Sequence, residues 1–260
     1  MRMDSIRAVV DSFFHPRTGR PLMHSPVITD GDHPAVAAAS AAAASKARFW
    51  DKVARKYASD PIADLAGYEG TLRRVQALLS PDHEVLEIGC GTGSTALRLA
   101  AGTRRLVATD VSAEMVAIAR EKLAADPLPQ LEFRVADADA PVSGPAAWDA
   151  VLAFNLLHLV TDLPQALRSV VDVLKPGGLF ISKTPCLSEM NPLIPRLALP
   201  LMRALGKAPH VLCFNAAELQ AALVQQGLEI VSVERHGTKG RDFRPFIVAR
   251  KPDGHRPSLH

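Results

Sequence analysis

Val85-Leu86-Glu87-Ile88 runs without a break into Gly89-Cys90-Gly91-Thr92-Gly93, and this junction restricts the fold more than any other stretch of the chain. Its first half has the length and apolar content of a short buried strand, and Ser94 onward reads as a helix to about residue 101. Glycines at alternate positions let the backbone turn sharply and approach a ligand with no Cβ in the way. The helix start beyond them offers free amides to a carboxylate or a phosphate. A tight strand-to-helix turn with no ligand is the competing reading of the same residues.

Strand and helix patterns then alternate. Strands are expected at 106–109, 131–135, 149–154 and 179–183, with a helix after Ser112 as N-cap and another over 163–174 that stops at Pro176-Gly177-Gly178. A helix over 216–226 and strands over 228–234 and 243–250 follow. Such alternation predicts a parallel sheet with helices on both faces. Ligands of these sheets sit beyond the carboxyl ends of the strands, where strand order reverses. Asp110, Asp137 and Asn155 all fall at strand ends. Asp110 follows Gly93 by 17 positions and suits a carboxylate that accepts both ribose hydroxyls, a role that serves NAD and S-adenosylmethionine alike. A dinucleotide site would prefer Gly-x-Gly-x-x-Gly, whereas the spacing here is Gly-x-Gly-x-Gly.

With 260 residues, the chain can hold one large α/β domain with extensions. A net charge of only +3, with no dense Lys/Arg block, argues against an extended nucleic-acid surface. Cys90, Cys186 and Cys213 are too few and too scattered for a disulfide framework or a zinc site, so no metal is expected and the cytoplasm is the default location. No uninterrupted apolar run reaches the ~18 residues of a membrane span, so no stable membrane insertion is expected. Residues 1–45, punctuated by Pro and Gly and ending in an Ala/Ser tract, read as a flexible extension, with the tract able to join the helix that follows. Asp4 and Asp11 among the arginines weaken a targeting-peptide reading of it. Residues 46–80 show a helical pattern broken at Pro61, and 185–215 form an apolar, proline-dotted segment. The domain is expected over 46–252, followed by a flexible tail over 253–260.

Taken together, these segments resemble the class I S-adenosylmethionine-dependent methyltransferases. The stretch from Val85 to Gly93 is similar to the first motif of that family, and Ala108-Thr109-Asp110-Val111-Ser112-Ala113-Glu114-Met115 to its second acidic loop. Ala136-Asp137-Ala138 is similar to the adenine-binding turn, Trp148-Asp149-Ala150-Val151 to the start of the fourth strand, and Leu174-Lys175-Pro176-Gly177-Gly178 to the turn before the fifth. The layout is most like the small-molecule branch, with a methyltransferase type 11-like domain that includes ubiquinone-biosynthesis-type enzymes.

The resemblance implies a doubly wound, mostly parallel seven-stranded, Rossmann-like sheet with an antiparallel last strand. It implies S-adenosyl-L-methionine as cofactor, and methyl transfer to an O, N, S or C nucleophile of a small, hydrophobic molecule. Gly89, Gly91 and the neighbouring backbone, with Glu87, Cys90 and Gly93, would cradle the methionine part, and Asp110 the ribose. Asp137 would face the adenine amino group and the Ala138 amide a ring nitrogen. Val111 and Met115 would pack against the base, and Asn155 would lie near the methionine end. Residues 46–80 resemble a lid in which Tyr57 covers the cofactor. The apolar make-up of 185–215 suits a cap over a small hydrophobic substrate, with an oligomer contact or plain core as the competing readings. Trp50, Cys186, Met190 and Phe214 are the candidate substrate contacts.

Several of these residues have plainer readings. Cys90 beside glycines reads first as packing. Trp50 and Tyr57, seven apart on one helical face, suit a core as well as a lid. Asp137 could cap a turn. His158 could take a proton from a hydroxyl or thiol, or be a satisfied structural histidine. A monomer or homodimer fits. A non-catalytic cofactor-binding protein and a methyltransferase of protein or nucleic acid are the rival functions. Asn155-Leu156-Leu157-His158 stands where the latter would resemble Asp/Asn-Pro-Pro-aromatic.

Overall fold

A computed structural model describes residues 34–140, 146–190 and 211–253. Its centre is a seven-stranded sheet in the order β3-β2-β1-β4-β5-β7-β6. The strands are β1 (Glu84–Ile88), β2 (Arg105–Asp110), β3 (Leu131–Val135), β4 (Trp148–Phe154), β5 (Leu174–Lys183), β6 (Glu229–Glu234) and β7 (Phe246–Arg250). The first five pair in parallel, while β7 runs antiparallel to both β5 and β6. Strand β1 pairs with β2 on one side and β4 on the other, so the order reverses at its carboxyl end. That end opens into the glycines, the position at which this topology leaves a crevice.

Because β7 runs against its neighbours, Phe246 sits beside Lys183 and Glu234, and the β6–β7 connection lies on the same carboxyl edge as the glycines.

Helices α1 (Pro34–Ser59) and α2 (Leu65–Gln76) precede the sheet, and α3 (Ser94–Leu99), α4 (Ala113–Ala125), α5 (Leu163–Val173) and α6 (Ala216–Gln225) connect or flank its strands. The break at Pro61 falls between α1 and α2, where Asp64 caps α2 by accepting the Gly67 amide at 3.1 Å. Ser112 caps α4 through the Met115 amide, and Asn215 with Glu218 forms a capping box on α6. Helix α1 starts at Pro34, so the Ala tract is helical; residues 1–33, and with them most of the expected extension, lie outside the described residues. No helix among the described residues is long and apolar enough to cross a membrane.

Alternation along the strands divides the core into two layers. Leu86 and Ile88 of β1, Val151 of β4 and Phe180 of β5 pack with Leu167 of α5 and Leu219 of α6. Val85, Leu152 and Ile181 face the other way, onto Leu72 and Val75 of α2, Leu99 of α3 and Val116 of α4. Burying each such side chain is worth roughly 1.5–3 kcal/mol. Helix α1 adds a smaller contact, with Ala54 and Trp50 against Met115 and Ile118 of α4.

Two strand boundaries differ from the sequence reading by three residues or more. Strand β5 begins at Leu174, ahead of Pro176-Gly177-Gly178, because Leu174 already turns extended and pairs with Trp148 across an irregularity in the β4–β5 register. Strand β7 begins at Phe246 rather than 243. Pro245 has no amide to give the ladder, and the Arg244 amide goes to Asp242 Oδ1 at 3.0 Å.

Candidate functional site

Gly89, Gly91 and Gly93 all adopt left-handed backbone, at φ +66°, +54° and +74°. Their surroundings separate them. A Cβ on Gly89 would lie 2.5 Å from Leu156 Cδ1, and one on Gly93 would lie 2.5 Å from Phe133 Cζ and 2.8 Å from the Ala119 Cβ. Those two glycines let the strand, the loop and the helices close up. A Cβ on Gly91 would meet only Tyr57 Cε1, at 3.8 Å. Gly91 is therefore where bare backbone is offered to open space, with Tyr57 of α1 alongside it.

Asp110 holds this loop in place. Its Oδ2 accepts the Gly91 amide and its Oδ1 the Ser112 amide, each at 2.9 Å. A carboxylate oxygen has two lone pairs, so each oxygen keeps capacity for a further donor. Burial pushes Asp110 above the usual carboxylate range, against the pull of the two amides. Next to it on β1, Glu87 is 2% exposed, and its Oε2 has no hydrogen-bond partner among the described residues. Burial, reinforced by the Asp110 charge, pushes Glu87 up to about 8. Cys90 is buried beside them with its amide on the Thr109 carbonyl at 2.9 Å. Burial, then the charges of Glu87 and Asp110, raise its thiol well above the ordinary value. That environment suits packing and opposes a thiolate.

The β3–β4 side of the crevice carries Asp137, Ala138 and Asp139. Lys46 of α1 donates to Asp137 Oδ1 at 2.6 Å and to Asp139 Oδ2 at 2.5 Å. Ala138 is half-buried against the α5-side core. Val111 is half-buried, while Met115 is 2% exposed and occupied with Ala54, Ile118 and Trp50. On the β4 side, Asn155 is exposed and has φ +52°, the only non-glycine among the described residues in that region. Its amide donates to the Lys183 carbonyl at 2.8 Å. A residue held in this region costs on the order of 1–3 kcal/mol, and such positions gather at functional sites.

The remaining candidates divide. Trp50 and Tyr57 stack edge-on with centroids 6.5 Å apart, yet Trp50 serves the α1–α4 packing while Tyr57, 41% exposed, borders Gly91. His158 gives its carbonyl to the Leu212 amide at 2.7 Å; its Nδ1 is buried and unpartnered among the described residues, and burial lowers it to about 4. Cys186 and Phe214, read from sequence as candidate substrate contacts, are seated in the α5-side core. The Cys186 amide bonds the Phe243 carbonyl at 2.8 Å, and burial pushes the thiol up to about 12. Met190 packs on Leu187 with Val211, and residues 191–210 of the expected cap lie outside the described residues.

Two polar residues of α1 were not singled out from the sequence. Asp51 accepts the Ser112 hydroxyl at 2.6 Å and the Glu114 amide at 3.1 Å, placing a carboxylate at the positive end of α4. Lys46, Trp50, Ala54 and Tyr57 follow one another by 4, 4 and 3 positions. That one-face spacing was the available signal for Lys46.

Residues 85–178, which carry the glycine loop and its acids, match the family model described as a methyltransferase domain. Over that segment the chain carries a methyltransferase domain. It is 27% identical over 194 residues to an O-methyltransferase of Penicillium expansum, covering 71% of this chain and 65% of that protein. It spans only 4% of a highly reducing polyketide synthase of Emericella nidulans, to which it is 35% identical over 114 residues (39% of this chain). Among solved structures, a [4+2]-cyclase, SpnF, aligns with TM-score 0.60 and 22% identity over 72% of this chain and 81% of its own. An S-adenosylmethionine-dependent methyltransferase of Mesorhizobium loti aligns with TM-score 0.58 and 23% identity over 71% of this chain and 98% of its own. These structural likenesses establish the methyltransferase fold. The family's cofactor, S-adenosylmethionine, carries cationic ammonium and sulfonium groups. It fits a site with an open, Cβ-free Gly91 and a buried, unpartnered Glu87 carboxyl oxygen.

Proposed function

We propose that the protein transfers the methyl group of S-adenosylmethionine to a nucleophilic atom of a small, largely apolar molecule, with an oxygen nucleophile favoured. The observation that carries this reading is Gly91. Its amide is clamped by Asp110 at the strand-order reversal, while the space above its Cα stays open. The apolar make-up of 185–215 and the O-methyltransferase among the relatives support the acceptor class. Three unpaired cysteines suit the reducing cytoplasm.

In this reading Asp110 accepts the ribose hydroxyls, and Gly91 and Glu87 meet the methionine part. Asp137 and the Ala138 amide receive the base beside Val111, and Asn155 borders the methionine end. When bound, the sulfonium supplies an activated methyl group and leaves as a neutral thioether. The residues of the chain then mainly align and enclose. Holding attacker and methyl in line is worth roughly 7–11 kcal/mol in well-placed systems, and Tyr57 helps exclude water over Gly91.

The direct test is thermal and chemical. S-adenosylmethionine should raise the melting temperature and NAD should not. A panel of phenols, alcohols, thiols and amines should yield S-adenosylhomocysteine with at least one hydroxyl compound. A shift by NAD alone defeats the reading. Because one similar structure is that of a [4+2]-cyclase, cofactor binding without S-adenosylhomocysteine from any acceptor would favour a second reading, binding without methyl transfer.

His158 is the candidate proton acceptor. At about 4 it is neutral at pH 7 but has little appetite for a proton, so His158→Gln should lower turnover less than tenfold. A loss of a hundredfold or more would make it a base. The same substitution has a signature in stability. The native ring binds protons less readily than the unfolded one, whose pKa is about 6.5. The protein should therefore lose stability as pH falls from about 6.5 towards 4 and none above it. Melting curves of His158→Gln should be flatter over that interval, and an unchanged slope would contradict the burial argument.

A further inference from the structure

Lys46 reaches from α1 to both carboxylates of the β3–β4 loop, and all three side chains are largely enclosed, at 13% and 16% exposure for the lysine and each partner. The pattern of donors on Asp137 is one-sided. Its Oδ1 takes the Lys46 ammonium at 2.6 Å and the Asp139 amide at 3.1 Å, while Oδ2 has no partner among the described residues. Asp139 is fixed in turn, with both oxygens accepting the Thr161 amide at 3.0 and 2.9 Å. Burial works to raise Asp139, but Lys46 and Thr161 outweigh it and hold it below the usual range. The loop is also tied to the ribose side, through the Ala136 amide on the Asp110 carbonyl at 2.9 Å.

A free carboxylate oxygen backed by a buried cation is a strong, fixed acceptor for one neutral donor. We propose that Lys46 is a positioning residue for the cofactor's base. By occupying Asp137 Oδ1 it turns Oδ2 into the acceptor for the exocyclic amino group of a 6-aminopurine, and so sets the preference for adenine over a 6-oxopurine. This inference rests on the cofactor reading above. It also couples two events, since Lys46 and Tyr57 ride on the same face of α1: the contact that completes the base site also brings the tyrosine beside Gly91.

The test is calorimetric binding of S-adenosylhomocysteine and of its 6-oxo analogue, S-inosylhomocysteine, to the wild-type protein, Lys46→Met, Lys46→Arg, Asp137→Asn and the Lys46→Met/Asp137→Asn double variant. Losing a hydrogen bond to a charged acceptor corresponds to about tenfold in affinity. Lys46→Met should lose about that factor for the adenine compound and less than twofold for the 6-oxo compound. Lys46→Arg, which can still bridge both acids, should recover most of it. If Lys46 acts through Asp137, the double variant should be no worse than Asp137→Asn alone. Equal weakening of both ligands in Lys46→Met would mean that the lysine only docks the helix, and would overturn the proposal. So would an unchanged ratio. If Lys46→Met proves unfolded by its ligand-free melting curve, Asp137→Asn and Lys46→Arg decide: discrimination kept by the first or lost in the second overturns it. Wild-type protein that binds neither compound would instead defeat the cofactor assignment itself.

Discussion

Asp110→Ala is expected to weaken binding of S-adenosylmethionine by roughly a hundredfold or more, the largest loss for any single polar substitution in the crevice. Two effects add. The side chain would accept both ribose hydroxyls, and a hydrogen bond to a charged group is worth about 1.5–3 kcal/mol. It also secures the Gly91 and Ser112 amides, so its removal frees the loop that must meet the ligand. Asp110→Asn retains a carbonyl oxygen for one of these amides and should fall between alanine and wild type. Titration calorimetry of the purified variants measures this. A dissociation constant within threefold of wild type for Asp110→Ala would remove Asp110 from the site.

The second large effect is a contrast between neighbouring glycines. Gly93→Ala should behave as a folding defect. Its left-handed backbone costs a side chain about 1–2 kcal/mol, and the new Cβ collides with Phe133 and Ala119 at 2.5 and 2.8 Å. Overpacking of that kind adds about 1–3 kcal/mol, so a fall in melting temperature of roughly 5–15 °C follows, with cofactor binding retained in the folded fraction. Gly91→Leu should do the reverse. The backbone strain alone lowers the melting temperature by a few degrees, because the first atom added meets only Tyr57, at 3.8 Å. The rest of the side chain then fills the space meant for the ligand, and the stabilisation by S-adenosylmethionine disappears. Equal thermal losses in the two variants, or a ligand response kept by Gly91→Leu, would show that the open side of Gly91 is not where the cofactor lies.

The sheet and the place of Asp110 at a strand end beside the glycines were legible because they depend on local pattern. Apolar runs of strand length alternate with helix-period segments, and Asp110 ends one of those runs. The role of Cys90 as packing followed from its size and its glycine neighbours. What escaped the sequence depends on contacts distant along the chain. Lys46 is 91 residues from Asp137, and a lone lysine after an alanine tract looks like any solvated helix residue. The seating of Cys186 and Phe214 in the core was not legible, because an apolar, proline-dotted stretch has no period to reveal which side is buried. The hydrogen bond from the Cys186 amide to Phe243 and the packing of Phe214 beside Leu219 decide that only in three dimensions. The different surroundings of the three glycines were equally hidden. They are set by Leu156, Phe133 and Tyr57, none of which the motif contains.

The reversed direction of β7 carries a consequence for how such a protein can change its chemistry. The connection that enters it, residues 235–245, shares a rim with the glycines and is anchored by separate bonds. Thr238 donates to Asp64, Lys239 to the Ala63 carbonyl, and the Phe243 carbonyl receives Cys186. None of these ties passes through the acids that would hold the cofactor. The rim can therefore be lengthened, shortened or recharged while the contacts of Asp110 and Asp137 are left intact, so sequence change there is separated from change in the glycine crevice.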